Sequence, residues 1–347
     1  MKNLTTNHDI TIREAMKKLS EAGQKCLVII NEKNLLLGTL SDGDLRKAIL
    51  SGAQMNDSVI GFYQSKPTLI MKDDFNIDDT KKLFIKNKFD LIPIVDKKNK
   101  LVDILLWENI IDKSKLNYNH KLDVPVVIMA GGKGTRMEPF TKILPKPLIP
   151  INEKPIIEHI IERFAIFGCS NFYISVNYKA RILKAYFDEI QPNYDVEFID
   201  ENEPLGTAGS LELLKGKIDR PFFVTNCDII VKSDYASLFE FHQRNNYGMT
   251  LVASATEYVI PYGTCELEND GSLSKVNEKP KYDFLVNTGL YVINPELLNI
   301  IPNKKFYHIT HLIEDAKKKG FRVGVFPVDE DVWVDVGQWT EYQKAVI

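Results

Sequence analysis

The sequence has few cysteines, no long apolar run and almost no net charge, and each shortage removes a class of protein. Four cysteines in 347 residues, Cys26, Cys169, Cys227 and Cys265, are scattered without the close pairs of a metal site or a disulfide framework. They read as reduced packing residues. No stretch approaches the roughly 18 consecutive apolar residues of a membrane-spanning helix, and Met1-Lys2-Asn3-Leu4 opens no secretory apolar core. The 44 basic residues nearly balance the 47 acidic ones, leaving −3, so no global field draws the chain to nucleic acid or to an anionic membrane. The expectation is a cytoplasmic protein with neither nucleic acid nor membrane as partner, long enough for about two domains with sizeable cores.

What is present begins with an internal repeat. Cys26 to Asp44 aligns without gaps on Leu91 to Asn109, pairing Val28-Ile29-Ile30-Asn31 with Pro93-Ile94-Val95-Asp96 and Leu36-Leu37-Gly38 with Leu101-Val102-Asp103. Each copy reads as helix, strand, turn, strand, helix, with Asn31-Glu32-Lys33-Asn34 and Asp96-Lys97-Lys98-Asn99 as polar hairpin turns. Halves of about 60 residues, 1–62 and 63–115, are too small for strong separate cores and should pack on one another. The polar connector Leu116 to Leu122 then separates this module, 1–115, from a second domain, 123–347.

The second domain opens on an apolar strand, Val124-Pro125-Val126-Val127-Ile128-Met129-Ala130, that runs into Gly131-Gly132-Lys133-Gly134-Thr135-Arg136 and on to Pro145-Lys146-Pro147. Backbone amides converge on polyanionic oxygens only where no Cβ intervenes, which is what such glycines permit. Arg136 offers a planar fork to phosphate oxygens, and Lys146, between two prolines, a mobile point charge. A P-loop would need Gly, four intervening residues and then Gly-Lys-Ser/Thr, and a dinucleotide fingerprint a third Gly where Met137 stands, so neither fits. Downstream, a helix from Pro155 with Ile156, Ile157, Ile160, Ile161 and Phe164 at helical spacing alternates with strands at 172–176, 196–199 and 222–224. That alternation predicts a parallel α/β sheet, with Asp228 just past the carboxyl end of a buried strand.

Together with Pro139 and Thr141, the string from Gly131 to Pro147 resembles the signature of sugar-1-phosphate nucleotidyltransferases. The resemblance implies a GT-A-like, Rossmann-like α/β fold with a mainly parallel central sheet. It implies nucleotide contacts from Ala130, Gly131, Gly132, Gly134 and Thr135 and, in the loop 204–210 leading to a helix from about Leu211, from Gly206 and Thr207. By the same likeness Arg136 and Lys146 hold the triphosphate and Asp228 and Asp335 bind Mg²⁺. Gly263, Glu278 and Asn287 hold sugar hydroxyls, and Lys279 the sugar phosphate. Cys227 departs from the pattern, since Gly is frequent there in the wider family. His308 and His311 read as helix surface.

In the first copy of the repeat, Gly38 to Leu45 resembles the strand-to-helix turn of cystathionine-β-synthase-type (CBS) domains, which implies Ser41 and Asp44 as contacts of an adenine nucleotide. The residues alone equally describe a helix cap with Asp three positions after Ser. The second copy has Leu106 and Asn109 there, so at most one such site is expected. A CBS pair ahead of this catalytic domain looks most like the guanylyltransferases of bacterial nonulosonic acid pathways. That likeness implies GTP and glucosamine-1-phosphate as substrates, giving GDP-glucosamine for legionaminic acid. Mannose-1-phosphate guanylyltransfer, glucose-1-phosphate thymidylyl- or uridylyltransfer and non-catalytic nucleotide sensing are the alternatives. The GTP expectation rests on Glu201: guanine presents N1–H and N2–H side by side, which a carboxylate accepts as a bidentate pair. Glu203 or a backbone carbonyl could take that role instead. A homodimer is expected, and no acetyltransferase, since no hexapeptide repeats follow the catalytic domain before Ile347.

Overall fold

The computed structural model describes residues 4–106, except 75, 77, 78, 81, 82, 85, 86 and 88, and residues 122–346. Residues 116–121 of the connector and Asn109 lie outside the described residues. The chain divides into two compact units, the first taking in the N-terminal repeat with 255–285 and 329–331, the second 120–254, 286–328 and 332–347.

The first unit contains β1 (Thr5–Thr6), α1 (Ile12–Ala22), β2 (Cys26–Ile30), β3 (Leu36–Ser41), α2 (Asp42–Leu50), β4 (Ile70–Met71), β5 (Leu91–Val95) and β6 (Leu101–Leu106). Thr11 and Glu14 start α1 with a reciprocal capping box, and Gly23 in the left-handed region ends it. The two three-stranded sheets, β1-β2-β3 and β4-β5-β6, repeat one another in detail. Cys26 pairs with Ser41 as Leu91 pairs with Leu106, and the register breaks between Ile29 and Ile30 as it does between Ile94 and Val95. The turns seal the copies reciprocally: Asn34 Nδ2 donates to Leu101 O at 3.0 Å and Asn99 Nδ2 to Leu36 O at 2.9 Å. Val28 and Leu36 of one copy share an apolar cluster with Leu91, Val95, Leu101 and Ile104 of the other.

The second unit and the arm that leaves it contain β7 (Val126–Met129), the short hairpin β8 (Pro150–Ile151) and β9 (Lys154–Pro155), α3 (Ile156–Ala165), β10 (Asn171–Val176), α4 (Ala180–Ile190), β11 (Asp195–Asp200), β12 (Phe222–Asn226) and β13 (Ile229–Val231). There follow α5 (Tyr235–Arg244), β14 (Met249–Val259), the hairpin β15 (Thr264–Leu267) and β16 (Leu273–Asn277), β17 (Lys281–Ile293), α6 (Ile309–Lys318), β18 (Val323–Asp329), β19 (Trp333–Asp335) and α7 (Trp339–Val346). The seven-stranded sheet runs β11-β10-β7-β12-β17-β14-β18. Its β7, β10, β11 and β12 are parallel, while β17 is antiparallel to β12. Val126 and Ile128 enter one core with Phe164 and Phe172, while Val127 and Met129 enter the other with Leu211 and Leu312. Burial on both faces is why β7 is uninterruptedly apolar. The chain leaves β7 for β10 and β11 on one side and returns to β12 on the other, so the carboxyl ends of β7 and β12 flank a topological switch point.

One expected element differs. The helix foreseen from Leu211 is a 3₁₀ segment, Gly209–Leu214. Leu211 and Leu214, three apart, both face the core, and a three-residue turn superposes that spacing where an α-helix would splay it.

Candidate active site

The glycine loop follows β7 at the switch point. Gly134 sits at φ +68°, a conformation costly for other residues, and a Cβ there would lie 2.9 Å from Thr141 Cγ2 and 3.1 Å from Lys146 Cβ. Thr141 Oγ1 donates to Gly134 O at 3.0 Å. From the end of β10, Tyr178 Oη and Lys179 Nζ both donate to Thr141 O, at 3.3 and 3.2 Å. These hydrogen bonds hold the loop from outside, and the sequence reading had passed over both residues. Position is the signal that could have found them, since Tyr178 and Lys179 follow a parallel strand at its carboxyl end. Thr135 and Arg136 occupy a short 3₁₀ turn and are exposed.

Lys146 is not the mobile point charge expected of a lysine side chain. It is 8% exposed, and its Nζ forms an ion pair with Asp228 Oδ2, itself on a residue 7% exposed. Strand pairing explains how two positions distant in the chain become neighbours. β13 and β19 run antiparallel with Ile229 opposite Asp335, and Val336 N donates to Asp228 O at 3.0 Å. The implied metal ligands are therefore neighbours, Asp335 at the end of β19 and Asp228 in the turn that opens β13. Asp335 Oδ1 accepts from Gly337 N and Oδ2 from Gln338 Nε2, each at 3.0 Å. Gly337 is packed into this arrangement: a Cβ there would overlap Asp228 Oδ2 and lie 2.5 Å from Lys146 Nζ. Burial pushes the adjacent Cys227 thiol up to about 12, with the Asp228 charge adding to it, so this cysteine supplies no thiolate.

Glu201, at the end of β11, is buried rather than a solvated surface acid. Ser175 Oγ donates to its Oε1 and Leu205 N to its Oε2 at 3.1 Å, while Asn177 Nδ2 donates to its carbonyl at 2.6 Å. A Cβ on Gly131 would lie 2.8 Å from Glu201 Oε1, so this carboxylate and the first loop glycine are packed together.

The second loop is occupied differently. Cβ atoms on Gly206 and Gly209 would lie 2.8 Å from Tyr307 O and Lys305 O respectively. Thr207 Oγ1 accepts from Ile309 N at 3.0 Å, at the start of α6. Gly206 and Thr207 are thus brought to the segment 305–309, whereas Gly131 packs on Glu201, Gly134 packs on Lys146, and Lys146 pairs with Asp228 beside the β13–β19 pair that carries Asp335. His308 and His311 cap α6, His311 Nδ1 accepting from His308 N at 3.3 Å.

Gly263, Glu278 and Lys279 belong to the first unit and Asn287 to the second. A Cβ on Gly263 would lie 3.0 Å from Glu278 Oε2, and Glu278 and Lys279 are exposed. Asn287 Nδ2 donates to Tyr291 Oη at 2.9 Å. In the repeat, Ser41 and Asp44 form a capping box: Ser41 Oγ accepts from Asp44 N at 3.1 Å, and Asp44 Oδ2 accepts from Ser41 N at 2.9 Å. No group of three or more His, Cys, Asp and Glu suited to a metal occurs among the described residues, and none of their helices is long and apolar enough to cross a membrane.

The CBS domain family matches residues 1–51. The mannose-1-phosphate guanyltransferase of Yarrowia lipolytica is 34% identical over 223 residues, 61% of this chain and 60% of its own. That of Saccharomyces cerevisiae is 32% identical over 237 residues, 64% of this chain and 63% of its own. The chain thus spans somewhat over half the length of these curated relatives. Among solved structures, HddC from Yersinia pseudotuberculosis superposes with a TM-score of 0.51 at 27% identity, over 64% of this chain and 98% of that one. Its complex with GMP-PN gives the same TM-score at 25% identity over the same shares. The Nucleotidyl transferase family matches residues 125–346, which include the whole of the site around Lys146 and Asp228, and the chain belongs to that family.

Proposed function

We propose that the chain is a sugar-1-phosphate guanylyltransferase, joining the phosphate of a sugar 1-phosphate to the α-phosphorus of GTP and releasing pyrophosphate. The observation that carries this reading is the β13–β19 pairing, which brings Asp228, in the turn that opens β13, next to the strand that carries Asp335, with Val336 N donating to Asp228 O at 3.0 Å. The family membership, the guanyltransferase relatives and the guanine nucleotide of the HddC complex support it.

A phosphate monoester has its second pKa near ~6, so the attacking oxygen is ionised at neutral pH and no general base is needed. The residues have then to align two anions and offset their charge. Asp228 and Asp335 are hard oxygen donors suited to Mg²⁺, which commonly takes one or two carboxylates and completes its shell with water and substrate phosphate. When bound, that ion offsets charge on the α-phosphate and the departing pyrophosphate. Lys146 fixes the Asp228 carboxylate, Arg136 meets the triphosphate from the exposed turn, and Lys279 takes the acceptor phosphate, with Gly263, Glu278 and Asn287 against the sugar. Glu201 reads the guanine edge.

For the acceptor, the relatives favour mannose-1-phosphate. Glucosamine-1-phosphate is the second reading, favoured by the CBS match ahead of the catalytic domain. Pyrophosphate release over a panel of sugar phosphates, each with GTP, UTP, dTTP, CTP and ATP, tests both levels. GTP should be the best nucleotide; any other overturns the guanylyl reading, and the preferred sugar decides between the two acceptors.

A further inference from the structure

Arg13 lies on α1, inside the stretch that matches a CBS domain, yet its side chain is committed to residues far along the chain. Its guanidinium forms an ion pair with Asp283 of β17, 270 residues away. Its Nε, buried and without a hydrogen-bond partner, lies 3.9 Å from Glu257 Oε2 of β14. Asn56 Nδ2 adds a contact to Asp283 Oδ2 at 3.4 Å, and Lys281 Nζ one to Glu257 Oε1 at 3.2 Å. Below these charges Ala255 is buried in one apolar cluster with Ile12, Ala15 and Met16 of α1. The side chains of Arg13, Glu257 and Asp283 are only 21%, 18% and 14% exposed, so these are largely desolvated pairs rather than rim contacts.

The two carboxylates bracket a defined piece of chain. Glu257 precedes the hairpin β15–β16 and Asp283 follows it, with Gly263, Glu278 and Lys279 between them. Lys279 sits at φ +47°, a left-handed conformation that a non-glycine residue keeps only when its surroundings impose it. Ile260 N, donating to Pro280 O at 3.1 Å, closes the arm just above the charged stems. A planar fork gripping both stems is suited to holding that geometry, and a point charge less so.

We propose that Arg13 is a positioning residue for the acceptor side of the reaction: from the N-terminal repeat it clamps the stems at Glu257 and Asp283, and so orients Gly263, Glu278 and Lys279 without touching substrate. This rests on the acceptor roles given to those residues above. It also makes the first repeat a working part of the sugar-phosphate site.

The test uses the full chain as wild type, Arg13→Ala, Arg13→Lys and Asp283→Asn, with steady-state kinetics and amide hydrogen exchange side by side. Misplacing a binding group by about 1 Å costs up to ~10²-fold, and we expect the KM for the sugar phosphate to rise about 10- to 100-fold in Arg13→Ala. The KM for GTP should stay within about twofold, removal of acceptor binding alone leaving it unaltered. Arg13→Lys should rescue part of the loss, and Asp283→Asn should reproduce it. Exchange across 255–285 should quicken, while 171–176 and 222–226 keep their protection. Unchanged exchange across 255–285, or a rise in KM confined to GTP, overturns the proposal. If the wild type turns over no sugar phosphate, the guanylyltransferase reading fails, and the exchange comparison still decides whether Arg13 holds the arm. Should Arg13→Ala lose protection throughout, Arg13→Lys and Asp283→Asn carry the same two readouts.

Discussion

Two glycine-bearing loops of the catalytic unit use the missing side chain for opposite ends. In the first, Gly131 makes room for the Glu201 carboxylate and Gly134 for the Thr141 methyl and the stem of Lys146, and Gly337, from the far end of the chain, makes room for the Lys146–Asp228 pair. In the second, Gly206 and Gly209 make room for the backbone carbonyls of Tyr307 and Lys305. A glycine against an ionised side chain permits a charge to sit where chemistry needs it. One against a carbonyl permits two stretches of backbone to pack. The motif alone does not distinguish them, and substitution should: the first kind ought to lose turnover with the fold kept, the second to lose stability with turnover kept.

The largest effect is expected at Gly337. A methyl group there must displace Asp228 or Lys146, and loss of one pre-organised charge contact costs about 10²–10³ in kcat. Gly337→Ala should therefore reduce pyrophosphate release by that order, with the melting temperature little changed. Wild-type turnover would mean that the Lys146–Asp228 arrangement is not the one used in catalysis. Asp228→Asn should match it in activity but not in stability. The position of Asp228 in sequence suggests a ligand whose loss leaves the fold untouched, but its partner is buried, and removing one member of a buried pair costs about 3–5 kcal/mol. Adding Lys146→Met to Asp228→Asn should restore part of the melting temperature and none of the activity. Denaturation and turnover on the three proteins separate the two roles.

Why one half of this was legible and the other not follows from range. The apolar run of β7, the glycines after it and the 65-residue offset of the repeat are local patterns, and the structure reproduces each, down to matching register breaks. The burial of Lys146 depends on β13 meeting β19 across more than a hundred residues, and two flanking prolines say nothing of that. The packing of Gly206 on Tyr307 is equally non-local, as is the grip of Arg13 on Asp283. Because every residue given a chemical role except Ser41 and Asp44 follows the connector, the sequence suggests a catalytic domain that works alone. The Arg13 ion pairs are the reason to expect that a chain beginning near Asp123 binds its acceptor poorly.

A smaller effect is expected at Glu201, where the comparison can be sharpened. Its two oxygens each accept one internal hydrogen bond, from Ser175 and from Leu205. An ionised carboxylate has about four acceptor positions, so two donors of a guanine edge can be added to those already made. Glu201→Gln keeps the shape and keeps an acceptor for the Leu205 amide, and the Ser175 hydroxyl can turn to accept from the new NH₂ group. The fold should hold while the ratio of kcat/KM for GTP over UTP falls by about 10- to 100-fold, below the ~10⁴ ceiling for hydrogen-bond discrimination. An unchanged ratio would remove Glu201 from base recognition and leave Gly131 packed on it for structural reasons alone.

The smallest effect on activity is expected at Gly206, and it is the substitution best placed to break the comparison. Alanine there meets two obstacles. At φ +81° the backbone is in a region that costs a non-glycine residue about 1 kcal/mol or more, and the added Cβ falls 2.8 Å from Tyr307 O, which cannot swing aside as a flexible side chain would. Tyr307 O also accepts from Ala208 N at 3.0 Å and from Gly209 N at 3.1 Å, so moving it disturbs two hydrogen bonds along with the contact. A cost of about 2–3 kcal/mol follows, lowering the melting temperature by about 4–12 °C for a unit of this size. Below that temperature the protein stays folded and the Lys146–Asp228 centre is untouched, so kcat and the KM for GTP should stay within about threefold of wild type. Thermal denaturation and GTP saturation curves on one preparation give both numbers. A Gly206→Ala protein that melts with the wild type but has lost 100-fold or more in kcat/KM for GTP would show that the second loop serves the nucleotide site as the first does. The neighbouring carbonyl would then be a poor guide to what a motif glycine does.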